Sequence, residues 1–133
     1  TERQSGRWPL YTFVPVLLSR LRRAANEKDP DRRKEDDDYL TRLREVDVLL
    51  LDDLGAQAET EWSNEQLFSL LDDRYRFRRP TVVATNLLPV DLPARLASRL
   101  QDRARSVVVI MAGDDYRLLG WAKWIGERVG EGQ

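Results

Sequence analysis

Asp52 and Asp53 follow directly on the apolar run Val48-Leu49-Leu50-Leu51 and are followed by Leu54-Gly55. Two neighbouring carboxylates repel each other unless a cation or a proton stands between them. An apolar run that ends in such a pair suits the carboxyl end of a buried strand, where parallel sheets bind ligands. The same residues also suit a strand closing in a solvated acidic turn. Thr85-Asn86 ends a second apolar run, and its amide can hydrogen-bond a water or a phosphate oxygen, or simply open the loop before Pro89. Arg95, Arg99 and Arg103 recur every four residues, which on a helix puts them on one face, either to meet an anion or as a solvated basic face.

The rest of the composition narrows the chemistry. The 133 residues contain no cysteine and no histidine, so thiolate chemistry, Ser-His-Asp triads and the usual zinc sites are excluded for this chain. A metal here has oxygen ligands, which favours Mg²⁺ carried with a phosphate substrate. A formal charge of −1 gives no overall attraction to nucleic acid, so such contact has to be local. No apolar run is long enough to cross a bilayer. No signal peptide is read at the start of the chain, and its opening on Thr1 rather than methionine suits a piece of a longer protein or what survives proteolysis or disorder.

Positioning these residues requires strands and helices in alternation. Short continuous apolar runs predict buried strands at residues 46–51 (VDVLLL), 81–84 (TVVA) and 107–111 (VVVIM), with a weaker one at 10–14 (LYTFV). Pro15 suits the start of a helix over residues 16–25, and a charged helix is expected over 31–44 after the Asp29-Pro30 turn. Ser63 and Gln66 have capping-box spacing, with Leu67, Leu70, Leu71 and Tyr75 as the apolar stripe of the helix that follows. Pro93 opens a helix to about residue 103, and residues 116–129 form a last one. This alternation predicts a doubly wound parallel α/β sheet in a single domain over residues 1–133.

In combination, the acid pair is the Walker B arrangement, in which the first acid supports Mg²⁺ and the second serves the attacking water. From residue 8 to residue 117 the chain resembles the DnaC/DnaI-type helicase loaders, a clade of AAA+ ATPases that includes the IstB-type transposition helpers. The segments that carry the resemblance are VDVLLLDDLGAQAETEW, FRRPTVVATNL, LPARLASRLQDRA and AGDDYR. The resemblance implies that Asp52 assists Mg²⁺, Asp53 serves the catalytic water and Asn86 is sensor 1. It further implies that Arg99 is an arginine finger and that Arg117 approaches nucleotide. ATP and Mg²⁺ are the implied cofactors. A hexameric replicative helicase, single-stranded DNA and further copies of the protein are the implied partners, and the cytoplasm the implied location. Residues 16–44 occupy the stretch where such loaders often contact single-stranded DNA, although their nearly balanced charge favours a solvated helix pair.

One departure is large. No Gly-Lys-Ser/Thr occurs, so the phosphate loop of the family is missing from this sequence. By the resemblance, the strand leading into that loop lies between residues 81–84 and 107–111. Its absence predicts two open edges, closed by direct pairing or by a second chain. A non-catalytic module on the same fold is the competing reading. A phosphoacceptor receiver domain is a poorer one, because Ala112-Gly113 stand where it needs a lysine.

Overall fold

The computed structural model describes residues 9–55 and 60–113. Three strands, β1 (Pro9–Phe13), β2 (Val48–Leu54) and β3 (Thr81–Thr85), form one parallel sheet in the order β1-β2-β3. Between β1 and β2 run two helices, α1 (Val14–Asn26) and α2 (Pro30–Glu45). Helix α3 (Glu61–Arg76) connects β2 to β3, and a short 3₁₀ turn (Pro89–Asp91) leads into α4 (Ala94–Leu100).

Local chemistry accounts for the helix ends. Proline stands in the first turn of both α1 and α2, where a missing N–H costs nothing. The Asp29 carboxylate accepts from the Asp31 N–H at 3.0 Å and caps α2. Helix α3 starts earlier than the Ser63-Gln66 spacing suggests. Its N-cap is Thr60, whose Oγ1 accepts from the Ser63 N–H at 3.0 Å, and Ser63 Oγ accepts from the Thr60 N–H at 3.0 Å. Helix α4 stops at Leu100, so Arg103 lies beyond it and the shared face of three arginines is reduced to Arg95 and Arg99.

Both crossovers step in the same direction across the sheet. Right-handed connections therefore bring α1, α2 and α3 to one face. The burial agrees: Leu49 and Leu51 of β2 pack with Val14, Leu17, Leu18, Leu43, Leu67, Leu70, Leu71 and Leu96 into one core. Tyr11, Leu50 and Val82 are in register across the other face, and there Tyr11 and Val82 stand 59% and 54% exposed. The described residues thus form the part of a doubly wound parallel sheet whose helices cover one side.

Residues 107–111 correct the expectation of a buried strand. They pair with no other strand and are 55–93% exposed. The run is apolar enough for a sheet interior, but a strand needs a neighbour, and β3 pairs only with β2 among the described residues. The two edges therefore do not close by pairing with each other. The helix expected over 116–129 lies outside the described residues.

An arginine holds the sheet to its helices. Arg74 of α3 is fully buried, and its guanidinium donates to the carbonyls of Leu43, Arg44, Val46 and Pro80 and to Thr81 Oγ1, at 2.8–3.1 Å. It ties the end of α2 and the entries to β2 and β3 to one side chain. Burial pushes its pKa down to about 10, so it remains charged at neutral pH with backbone oxygens as its ligands.

Candidate active site at the carboxyl ends of the strands

The sheet register explains how the acid pair is presented. Leu51 pairs with Val83, but the next pair is Leu54 with Thr85, three steps along β2 against two along β3. The extra residue is a bulge, and Asp53 occupies it with φ of 60°. This left-handed conformation is costly for most side chains but less so for Asp and Asn. The bulge restores Leu54 to the core and lets the strand show two consecutive acids at its end. Asp52 lies on the sheet face shared by Tyr11 and Leu50, and the Tyr11 hydroxyl donates to its Oδ2. That carboxylate raises the pKa of Tyr11. Both aspartates are half-buried, not open to solvent as strand-end acids would be in a plain turn.

The end of β3 is fastened to the same place. Thr85 Oγ1 donates to the Leu54 carbonyl at 2.6 Å and accepts from the Leu87 N–H at 3.0 Å. Asn86 sits between these two anchors, exposed, one residue past the strand. Gly55 closes the β2 turn with φ of 101°, and a Cβ there would stand 2.4 Å from Leu87 Cδ1. The glycine lets the loop carrying Asn86 pack on the loop carrying the acids. Asp52, Asp53 and Asn86 are therefore grouped at adjacent strand ends.

Arg99 is elsewhere. Its Nε donates to Asp72 Oδ1 at 2.8 Å, on α3, and its guanidinium lies 5.0 Å from the Tyr75 ring. The hydrogen bond to Asp72 raises its pKa above the usual arginine value. It is half-buried rather than part of an open, solvated basic face. Arg117 lies outside the described residues.

The helix pair α1–α2 carries its own ion pairs. Arg23 Nη2 donates to Asp36 Oδ1 at 2.6 Å, and Arg20 reaches the same oxygen at 3.6 Å while stacking on Tyr39. Asp36 is buried, and the bond from Arg23 holds its carboxyl below the usual range.

No cluster of three or more metal-ligating side chains occurs among the described residues. The Asp52–Asp53 pair does fit Mg²⁺, which usually keeps several waters and shares one or two carboxylates with substrate phosphates. The structure groups Asp52, Asp53 and Asn86, all singled out in the sequence, and adds Tyr11 and Asp72, which the sequence did not single out. Tyr11 was within a predicted strand, and its reach across to Asp52 depends on a register that only pairing reveals.

Comparison with known proteins places the fold. No family model matches the chain. It is 33% identical over 94 residues to the Bacillus subtilis (strain 168) protein YqaM, covering 62% of this chain and 30% of that protein. It is 32% identical over 85 residues to the replicative helicase loader DnaC of Escherichia coli (strain K12), covering 62% of this chain and 35% of DnaC. A structure of the replication initiator DnaA bound to AMPPCP and single-stranded DNA superposes on 97% of this chain and 38% of its own, with a TM-score of 0.65 and 19% identity, a likeness of fold. The chain spans about a third of the length of the curated relatives it matches. No helix among its described residues is long and apolar enough to cross a membrane. Over the part it shares with these proteins the chain is thus similar in sequence to the helicase loader DnaC and in fold to DnaA, and its described residues hold part of a parallel α/β sheet.

Proposed function

We propose that this chain is the post-phosphate-loop part of an ATP-dependent loader of a replicative DNA helicase, acting in replication initiation or restart. The observation that carries the reading is the bulged end of β2, which sets Asp52 and Asp53 beside the Thr85-Asn86 end of β3. A scaffold gains nothing from a left-handed aspartate at a strand end, whereas a hydrolytic site does. In this reading Asp52 supports Mg²⁺, and Asp53 orients the water that attacks the γ-phosphate and takes its proton. Asn86 hydrogen-bonds that water or a γ-phosphate oxygen. Mg²⁺ bound with ATP neutralises the charge that develops on the phosphates. Arg99, held on α3 away from the acid pair, serves a neighbouring subunit's nucleotide, so the active species is an assembly.

The test is reconstitution of the full-length protein with the hexameric replicative helicase of its source and single-stranded DNA coated with single-strand-binding protein. The loader reading expects a stable complex with the helicase and ATP-dependent deposition of the ring. No complex, together with stimulation of a transposase on its DNA element, assigns the protein to the IstB-type helpers instead.

A further inference from the structure

A hydroxyl stands where the acid pair meets the sheet. Tyr11 pairs with Leu50 across β1 and β2, and Asp52 lies two residues further along the same face. Such a diagonal neighbour is within reach of an aromatic side chain. Phe13, directly opposite Asp52, has no donor to offer. The Tyr11 hydroxyl makes the reach and donates to Asp52 Oδ2. Among the described residues Asp52 has no other side-chain hydrogen bond and no ion pair. Asp53, next to it in the bulge, receives no such hydroxyl.

The two acids are therefore not equivalent. The phenol engages one oxygen of Asp52 and leaves Oδ1 to face a cation or the water on it. Mg²⁺ takes single oxygens at about 2.0–2.1 Å in a strict octahedron, whereas Ca²⁺ sits at about 2.3–2.6 Å and accepts both oxygens of one carboxylate. A carboxylate with one oxygen engaged suits the first ion and denies the second its bidentate grip. A hydrogen bond of this kind also fixes the orientation of the ligating group.

We propose that Tyr11 is a positioning residue for Asp52, and that its hydroxyl makes the site selective for a Mg²⁺-nucleotide over a Ca²⁺-nucleotide by occupying one carboxylate oxygen. The inference rests on the reading of Asp52 as the acid that supports Mg²⁺. It gives β1, otherwise an outer strand of the sheet, a part in the site.

The test uses the full-length protein and AMPPCP, an ATP analogue that is not hydrolysed, bound with Mg²⁺ or with Ca²⁺ and read by calorimetry. Tyr11→Phe removes the hydroxyl and keeps the ring, which is exposed and lies outside the core. It should weaken binding with Mg²⁺ about tenfold, the low end for such bonds because this one is exposed. Binding with Ca²⁺ should stay within about twofold or tighten, so the preference for Mg²⁺ falls at least about fivefold. In ATP turnover, the Mg²⁺ concentration for half-maximal rate should rise with the loss of affinity. Equal weakening with both ions marks a merely structural role and overturns the proposal. Tightening with both ions, the result of a carboxylate freed to carry more charge, overturns it as well. Asp52→Asn separates the inference from the reading beneath it. If Asp52→Asn abolishes the preference for Mg²⁺ and Tyr11→Phe leaves it intact, Asp52 keeps its role and Tyr11 loses its own. If Asp52→Asn leaves both affinities at wild type, Asp52 is not at the metal and both fall.

Discussion

Replacing Arg74 by methionine removes the five hydrogen-bonding contacts of a buried guanidinium while keeping a long side chain in its place. Leu43 is buried, so its carbonyl loses a partner that water does not easily replace; Pro80 is exposed and its carbonyl can be rehydrated. An unsatisfied buried acceptor costs about 1–3 kcal/mol. Against this, methionine avoids desolvating a charge that burial already disfavours, as the lowered pKa of about 10 records. The balance is a loss of roughly 1–2 kcal/mol, large beside the marginal stability of a domain. With a urea slope of about 1.5 kcal/mol per molar, the midpoint falls by roughly 0.7–1.3 M. Urea titration followed by circular dichroism measures it. A midpoint within about 0.3 M of wild type would refute the claim that Arg74 joins α2, α3 and the two strand entries.

Three further outcomes are expected. The Asp36 carboxyl is held below its usual value by Arg23, so its stabilisation is present above about pH 4 and is lost as pH falls through the folded-state value. Asp36→Asn should therefore lower Tm by about 3–10 °C at pH 7, and the wild-type and variant curves should converge in thermal melts as acid protonates the folded-state carboxyl. Gly55→Ala should destabilise by roughly 1–3 kcal/mol in denaturant titration, because Leu87 can swing aside but the backbone at φ of 101° cannot accept a Cβ without strain. The 133-residue chain by itself should show no tight Mg²⁺-ATP binding in calorimetry, since it has no loop of amides and no lysine for the β- and γ-phosphates.

Much of the fold was legible because its signals are local. The apolar runs before Asp52 and before Thr85 lie on β2 and β3, and Pro15 and Asp29-Pro30 mark helix starts. The acid pair was legible as a pair, but not as a bulge, because a one-residue offset between strands leaves no trace in either strand alone. Residues 107–111 misled for the opposite reason. Their composition states a preference for burial, and burial needs a partner strand that composition does not supply. Arg74 was missed although its spacing pointed inward: Leu67, Leu70, Leu71 and Arg74 fall on one stripe of α3. Asp36 shows the same effect, seven residues before the buried Leu43 in a run where Asp37 and Asp38 look identical to it. Periodicity placed both charged groups in the core, and hydropathy alone argued against it. The Arg99–Asp72 contact could not be read from sequence, since α4 is shorter than expected and Asp72 lies 27 residues earlier.

If the bulged end of β2 is the hydrolytic half of a nucleotide site, Asp53→Asn in the full-length protein should leave nucleotide binding and remove turnover. Steady-state ATP turnover, alongside affinity for Mg²⁺-ATP, measures both. Turnover should fall at least about a hundredfold with nucleotide affinity changed only a few-fold, because Asp53 would act on the attacking water and not on the bound phosphates. Turnover close to wild type in a folded Asp53→Asn protein would contradict it.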